Sequence, residues 1–169
     1  MRITRRQVLA AGLAVSAAGA IGVAAVGVAW WDRPAGAGLL VLSGSEHAFI
    51  QALAEAWMPR GGVPALSGAD AELGGWFDAV VAGMPGPPRR QLKLLLHVLD
   101  ALPLATHGSH YSALQLDSRQ DVLRAWLHSD RYLLRSAAQA VMVLVGLGWS
   151  THPEVAEGIR PWFGCGFGR

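Results

Sequence analysis

Apolar positions recur at helical spacing along most of this chain. Ser43-Gly-Ser45-Glu46 is followed by Phe49, Ile50, Leu53 and Trp57. That predicts a helix capped by Ser43 or Ser45, with Glu46 placed favourably in its first turn. Pro59 stops it, and Arg60-Gly61-Gly62-Val63-Pro64 reads as a loop. A second helix is expected from Ser67-Gly68-Ala69-Asp70, with Leu73, Trp76, Phe77, Val80 and Val81 as its apolar side, ending near Gly83 to Pro85. Pro87 and Pro88 suit the first turn of a third. Its Leu92, Leu95, Leu96, Leu99 and Leu102 form one stripe, with Leu94 and Val98 opposite. A helix apolar nearly all round is expected to be buried, and Pro103 ends this one. Asp117 or Ser118 would cap a fourth helix carrying Val122, Leu123, Trp126 and Leu127. Asp130 would open a fifth over residues 131–147, whose apolar part from 137 to 147 is too short to cross a bilayer. Thr151 and Pro153 start a short last helix, and a Gly- and aromatic-rich tail follows from residue 158. No useful run alternates with period two. The expected fold is therefore all-α, an irregular orthogonal bundle of five or six helices.

The first fifth of the chain follows a different pattern. After Arg2, Arg5 and Arg6, residues 8–31 contain no charge. A basic start followed by an apolar run is the layout of an export leader. Thr4-Arg5-Arg6-Gln7-Val8-Leu9 resembles the twin-arginine signal of bacteria. Thirteen of the 22 residues 8–29 are Gly or Ala, so the run is long but only weakly hydrophobic, as such leaders are. Ala18-Gly-Ala20, Gly27-Val-Ala29 and Ala35-Gly-Ala37 are candidate cleavage triplets. Retention as a membrane anchor is the alternative, with Trp30-Trp31 as an interfacial belt. Either way the body is expected on the far side of the membrane. Residues 1–33 read as signal or signal anchor, 34–44 as a linker with a flexible Pro34–Gly38 joint, and 45–169 as the helical domain.

Composition narrows the chemistry. The chain has 169 residues, 52% hydrophobic and 15% charged, which excludes a disordered protein. Of its formal +2 net charge, residues 1–33 hold four basic groups against one acidic. The body carries ten against eleven, so no nucleic-acid partner is expected. Lys93 is the single lysine. One cysteine, Cys165, excludes an internal disulfide and multi-cysteine metal sites. In an exported chain a lone thiol suits either a disulfide to a partner subunit or a free sulfhydryl. His107 and His110 form the closest histidine pair but lack a third ligand and read as a solvated loop. His97 and Asp100, three apart, read as a hydrogen bond along one helix face. Neither a phosphate loop nor a G-x-S-x-G turn is present. No catalytic, cofactor or metal residues are assigned. Trp57, Trp76 and Trp126 fall on helical stripes and read as core. Trp149, Trp162, Phe163 and Phe167 crowd the C-terminal end and suit either a tail folded over the bundle or a partner-binding surface.

The order of these pieces carries a resemblance. It comprises the twin-arginine leader, a helix ending in Met58-Pro59, a Gly/Pro loop into Ala69-Asp70, and the helix around Trp76-Phe77-Asp78. Leu114 and Arg119-Gln-Asp-Val122-Leu123 follow, then Gly148-Trp149-Ser-Thr-His152-Pro153-Glu-Val155 and Gly158-Ile159. Together they resemble the gluconate 2-dehydrogenase subunit 3 family, the small subunits of membrane-associated flavin dehydrogenases. The resemblance implies a non-catalytic, chaperone-like small subunit without a cofactor of its own. Its large partner would be an FAD-dependent dehydrogenase of the glucose–methanol–choline type, lacking a leader and crossing through the twin-arginine translocase with this chain. A multihaem cytochrome c would accept the electrons on the periplasmic side. The competing reading is a free-standing exported or membrane-anchored helical domain with an unrecognised enzymatic or binding site.

Overall fold

A computed structural model describes residues 33–62 and 64–159. Among them the protein is all-α, with no strand. The helices are α1 (Gly44–Trp57), α2 (Leu73–Ala82), α3 (Gly86–Ala101), the single turn α4 (Leu104–His107), α5 (Leu116–Leu127), α6 (Tyr132–Thr151) and α7 (Pro153–Ile159). A 3-10 turn, Tyr111–Ala113, lies between α4 and α5.

α1 is the central element, packed by α2, α3, α5, α6 and the 3-10 turn. Its start is fixed by a capping box: the Ser43 hydroxyl accepts from the Glu46 N–H, and the Glu46 carboxylate accepts from the Ser43 N–H at 2.6 Å. Phe49, Ala52, Leu53 and Ala56 then line its inner face, joined by Ile50. They meet Phe77 and Val81 of α2, Leu96 and Leu99 of α3, Val122, Leu123 and Trp126 of α5, and Ala138, Val141, Met142 and Val145 of α6 in one core. Each large apolar side chain buried there contributes about 1.5–3 kcal/mol. Phe49, Tyr111 and Trp126 form an aromatic ladder, edge-on at 5.5 Å and stacked at 5.1 Å.

Several boundaries differ from the sequence expectation. α2 begins at Leu73, not at Ser67 to Asp70. Ser67 and Asp70 bond each other reciprocally, and Glu72 adopts the left-handed conformation (φ 47°), so residues 67–72 form a turn. That turn is pressed against the end of α1, with the Gly68 N–H donating to the Met58 carbonyl at 2.8 Å. α5 starts after Gln115, which offers no side-chain cap; Asp117 sits inside the first turn. α6 has Arg131, not Asp130, at its N-cap and runs four residues beyond Leu147. At 20 residues and mean hydropathy 1.3 it is long and apolar enough to cross a membrane by length and composition, contrary to the expectation of a short apolar run. Here it packs against α1, α2 and α5.

α3 departs most. It is not buried all round: Leu94, Val98 and Leu102 face outward, while Lys93, His97 and Asp100 face inward beside Leu96 and Leu99. Trp57, expected in the core, is 38% exposed and sits over Gly146 of α6, where a Cβ would stand 2.7 Å from its ring. Trp76 rests the same way on Gly148, at 2.6 Å. Two glycines thus let two indoles seat directly on one helix.

Candidate functional site

The least expected feature is a charged cluster beneath the surface. Glu46 of α1 is 1% exposed, and Lys93 and His97 of α3 are 5% and 6% exposed. Lys93 Nζ stands 3.6 Å from Glu46 Oε2, and His97 Nε2 stands 3.1 Å from Glu46 Oε1. The same carboxylate closes the capping box, so one side chain sets the start of α1 and the seating of α3. Of the pair expected to share a hydrogen bond, His97 turns its Nε2 to Glu46. Asp100 turns to His110 Nδ1 at 3.0 Å and the Ser112 N–H at 2.9 Å, tying α3 to the 3-10 turn. His110 therefore faces a carboxylate, while the His107 Nδ1 pairs with its neighbour, the Thr106 hydroxyl, at 2.8 Å.

The cluster reaches further, into the segment expected as a linker. The Lys93 ammonium donates to the Val41 carbonyl at 3.0 Å. The buried Asp78 carboxylate of α2 accepts the consecutive N–H groups of Leu40, Val41 and Leu42, the last two at 3.0 and 2.8 Å. Burial pushes the Asp78 carboxyl up, but these three donors outweigh it and hold it below the ordinary 3.8. Leu42 itself is fully buried. Residues 36–42 are thus a bonded strap across α2 and α3.

A second carboxylate is shifted at the surface. Hydrogen bonds from Arg60 and Ser67 hold Asp70 at about 2. A third cross-link joins Arg119 of α5 to Glu55 of α1 at 2.7 Å and to the Ser112 carbonyl at 3.1 Å. Burial raises the Tyr111 phenol above its ordinary range, and the Arg119 charge opposes this only in part.

This arrangement braces the fold, joining the start of α1 to α3. Glu46, Lys93 and His97 are closed off from solvent. Among the described residues no group of three or more His, Cys, Asp or Glu is disposed to hold a metal ion. An open cavity of about 520 Å³ lies between α3–α4, α5 and the start of α6. Its walls are Leu102, Pro103, Ala105, Val122, Ala125, Trp126 and Leu134, with Thr106, His107, Asp121 and Arg131 as its polar lining. Mostly apolar with a few polar groups, such a groove has the makeup of a pocket for an apolar side chain or small ligand.

The surface carries a second apolar feature. On the outer side of α6, Leu133, Val143 and Leu147 are 81%, 59% and 54% exposed and, with Ala140, fall on one face. Trp149, for which packing over the bundle and a partner-facing role were both expected, is half-buried, packs on the core and donates its indole N–H to the Leu66 carbonyl at 3.0 Å. Trp162, Phe163, Cys165 and Phe167, and the leader residues Arg5 and Arg6, lie outside the described residues.

Sequence reasoning missed the buried cluster, although a signal was present. Lys93, His97 and Asp100 stand at i, i+4 and i+7, so they share a helix face inside a leucine-rich run. A polar stripe of that spacing between two apolar ones marks a helix whose buried side is charged. No family model matches this chain, and neither a curated protein nor a solved structure matches it.

Proposed function

We propose that this chain is a non-catalytic small subunit that carries a folded FAD-dependent dehydrogenase through the twin-arginine export route to the periplasmic side of the membrane. The single observation that supports this most is the outer face of α6. A 20-residue helix in a small bundle leaves Leu133, Val143 and Leu147 in solvent, and a row of exposed apolar side chains fits a surface that another chain covers. The outward Leu94, Val98 and Leu102 of α3 extend the same argument to a second helix. The Arg5-Arg6 leader supplies the route, since that system moves proteins already folded and cofactor-loaded. The flavin and the reaction belong to the partner in this reading, and a multihaem cytochrome c takes its electrons.

The test is co-purification and export together. The full chain, isolated from its own cells, is expected to bring down a flavoprotein in fixed ratio. Arg5→Lys with Arg6→Lys is expected to leave that flavoprotein and its dehydrogenase activity in the cytoplasm. A chain that is soluble and monomeric alone, with no flavin protein attached, overturns the escort reading. Turnover of a substrate by the chain alone favours instead the free-standing domain, with the 520 Å³ groove as its site.

A further inference from the structure

Three small-residue triplets precede or enter the folded body, and the fold treats one of them in a particular way. Ala35-Gly36-Ala37 lies in the strap. Its scissile bond would be Ala37–Gly38, and that peptide is the middle of a tight turn: the Leu39 N–H donates to the Gly36 carbonyl at 3.0 Å, and Gly38 has φ +77°, the left-handed value a type II turn requires at its third residue. The turn is closed below by the Gly36 N–H on the Leu42 carbonyl at 2.8 Å. Gly36 is also held close to the start of α1, where a Cβ would stand 3.0 Å from the Gly44 nitrogen. Beyond the turn, the N–H groups of residues 40–42 are taken by Asp78 and the Val41 carbonyl by Lys93.

A leader peptidase reads its substrate as an extended backbone whose N–H and C=O groups are free to pair with the enzyme. Side-chain exposure is not enough, and Ala35 and Ala37 are exposed. What decides access is the hydrogen bonding of the backbone on both sides of the bond. To present Ala37–Gly38, the chain would have to open the turn, release the Asp78 and Lys93 contacts and lift Leu42 from the core.

We propose that residues 34–42 form a clasp retained by the folded domain, which bars leader removal at Ala35-Gly36-Ala37 and places the processing boundary before Pro34. This rests on the export reading only for the existence of a peptidase step; the clasp itself stands on the geometry. It follows that the strap is part of the mature N-terminus, joining α2 to α3 after export as before it.

Two measurements test it. The first is the intact mass and N-terminal sequence of the chain recovered from the exported fraction. A start at or before Pro34, including an uncut leader, is the expected result; a start at Gly38 or later overturns the proposal. The second is limited digestion of the purified full chain with an elastase, which cuts after small residues, read by mass spectrometry. Cleavage after Ala37 in the native chain is expected to be slower than in the urea-unfolded chain by at least about two orders of magnitude, and Asp78→Ala is expected to restore much of the rate. Equal rates in the native and unfolded chain overturn the clasp even if Asp78→Ala does not fold. A chain that never leaves the cytoplasm but resists elastase sinks the export reading and leaves the clasp standing.

Discussion

Glu46→Gln isolates the buried charge cluster from the helix cap. Gln at this position still accepts the Ser43 N–H, because a capping box works with either residue. What disappears is the carboxylate charge facing Lys93 Nζ at 3.6 Å and His97 Nε2 at 3.1 Å. Both partners are nearly inaccessible to water, so the lysine loses its carboxylate counter-charge in a low-dielectric setting. Breaking a buried pair from one side costs about 3–5 kcal/mol. At roughly 2–4 °C per kcal/mol for a domain of this size, the midpoint falls by roughly 6–20 °C. Lys93→Met is expected to cost a similar amount, since it leaves the carboxylate buried and deprives the Val41 carbonyl of its donor. The double variant is expected to be less destabilised than the sum of the two by at least about 1 kcal/mol, because it removes both buried charges at once. Thermal and urea unfolding of the full chain, followed by tryptophan emission, reads all three. Single changes that each cost under about 1 kcal/mol, or strict additivity, would show that the cluster is hydrated and loosely coupled, and the reasoning would fail.

Three further outcomes follow from the same geometry. Asp78 has its carboxyl lowered in the folded state, so its stabilisation is fully present above the ordinary 3.8 and is lost as the pH falls through its lower folded value; urea midpoints at pH 7 and pH 3 should differ less in Asp78→Asn than in the parent, and an unchanged difference would count against the strap contacts. Gly148→Ala places a methyl 2.6 Å from the Trp76 ring, which packs against the core, and is expected to cost about 1–3 kcal/mol in urea unfolding; a neutral result would mean the indole is free to move. Val143→Ser with Leu147→Ser should change the chain's own stability by less than about 1 kcal/mol, since both side chains are outward. The same pair should weaken retention of the flavoprotein on the affinity-tagged full chain, and undiminished retention would move the docking face away from α6.

The helices were legible because their signals are local. Ser43 and Glu46 announce the α1 start, Pro59 its end, and Pro87–Pro88 the start of α3. The starts of α2 and α5 were misplaced for a shared reason: the polar residues that look like caps are engaged otherwise. Ser67 and Asp70 bond each other and Arg60, and Asp117 falls within the helix. α3 was expected to be buried nearly all round, because hydrophobicity ranks Leu94 and Val98 above Lys93 and His97 for burial. That ranking ignores a carboxylate arriving from another helix.

The polypeptide order alone determined that this body is a helical bundle behind an uncharged, arginine-led segment: apolar spacing, proline positions and the first capping box are properties of neighbours in the chain. Only the tertiary structure decided which α3 face is buried, that Trp149 braces a loop, that Val143 and Leu147 are left outside, and that residues 36–42 are fastened. Three of these depend on a partner far along the chain (Glu46 for Lys93, Leu66 for Trp149, Asp78 for Leu40). Burying a charge or tying down a glycine-containing strap is unfavourable until the group that satisfies it has been brought into place by folding.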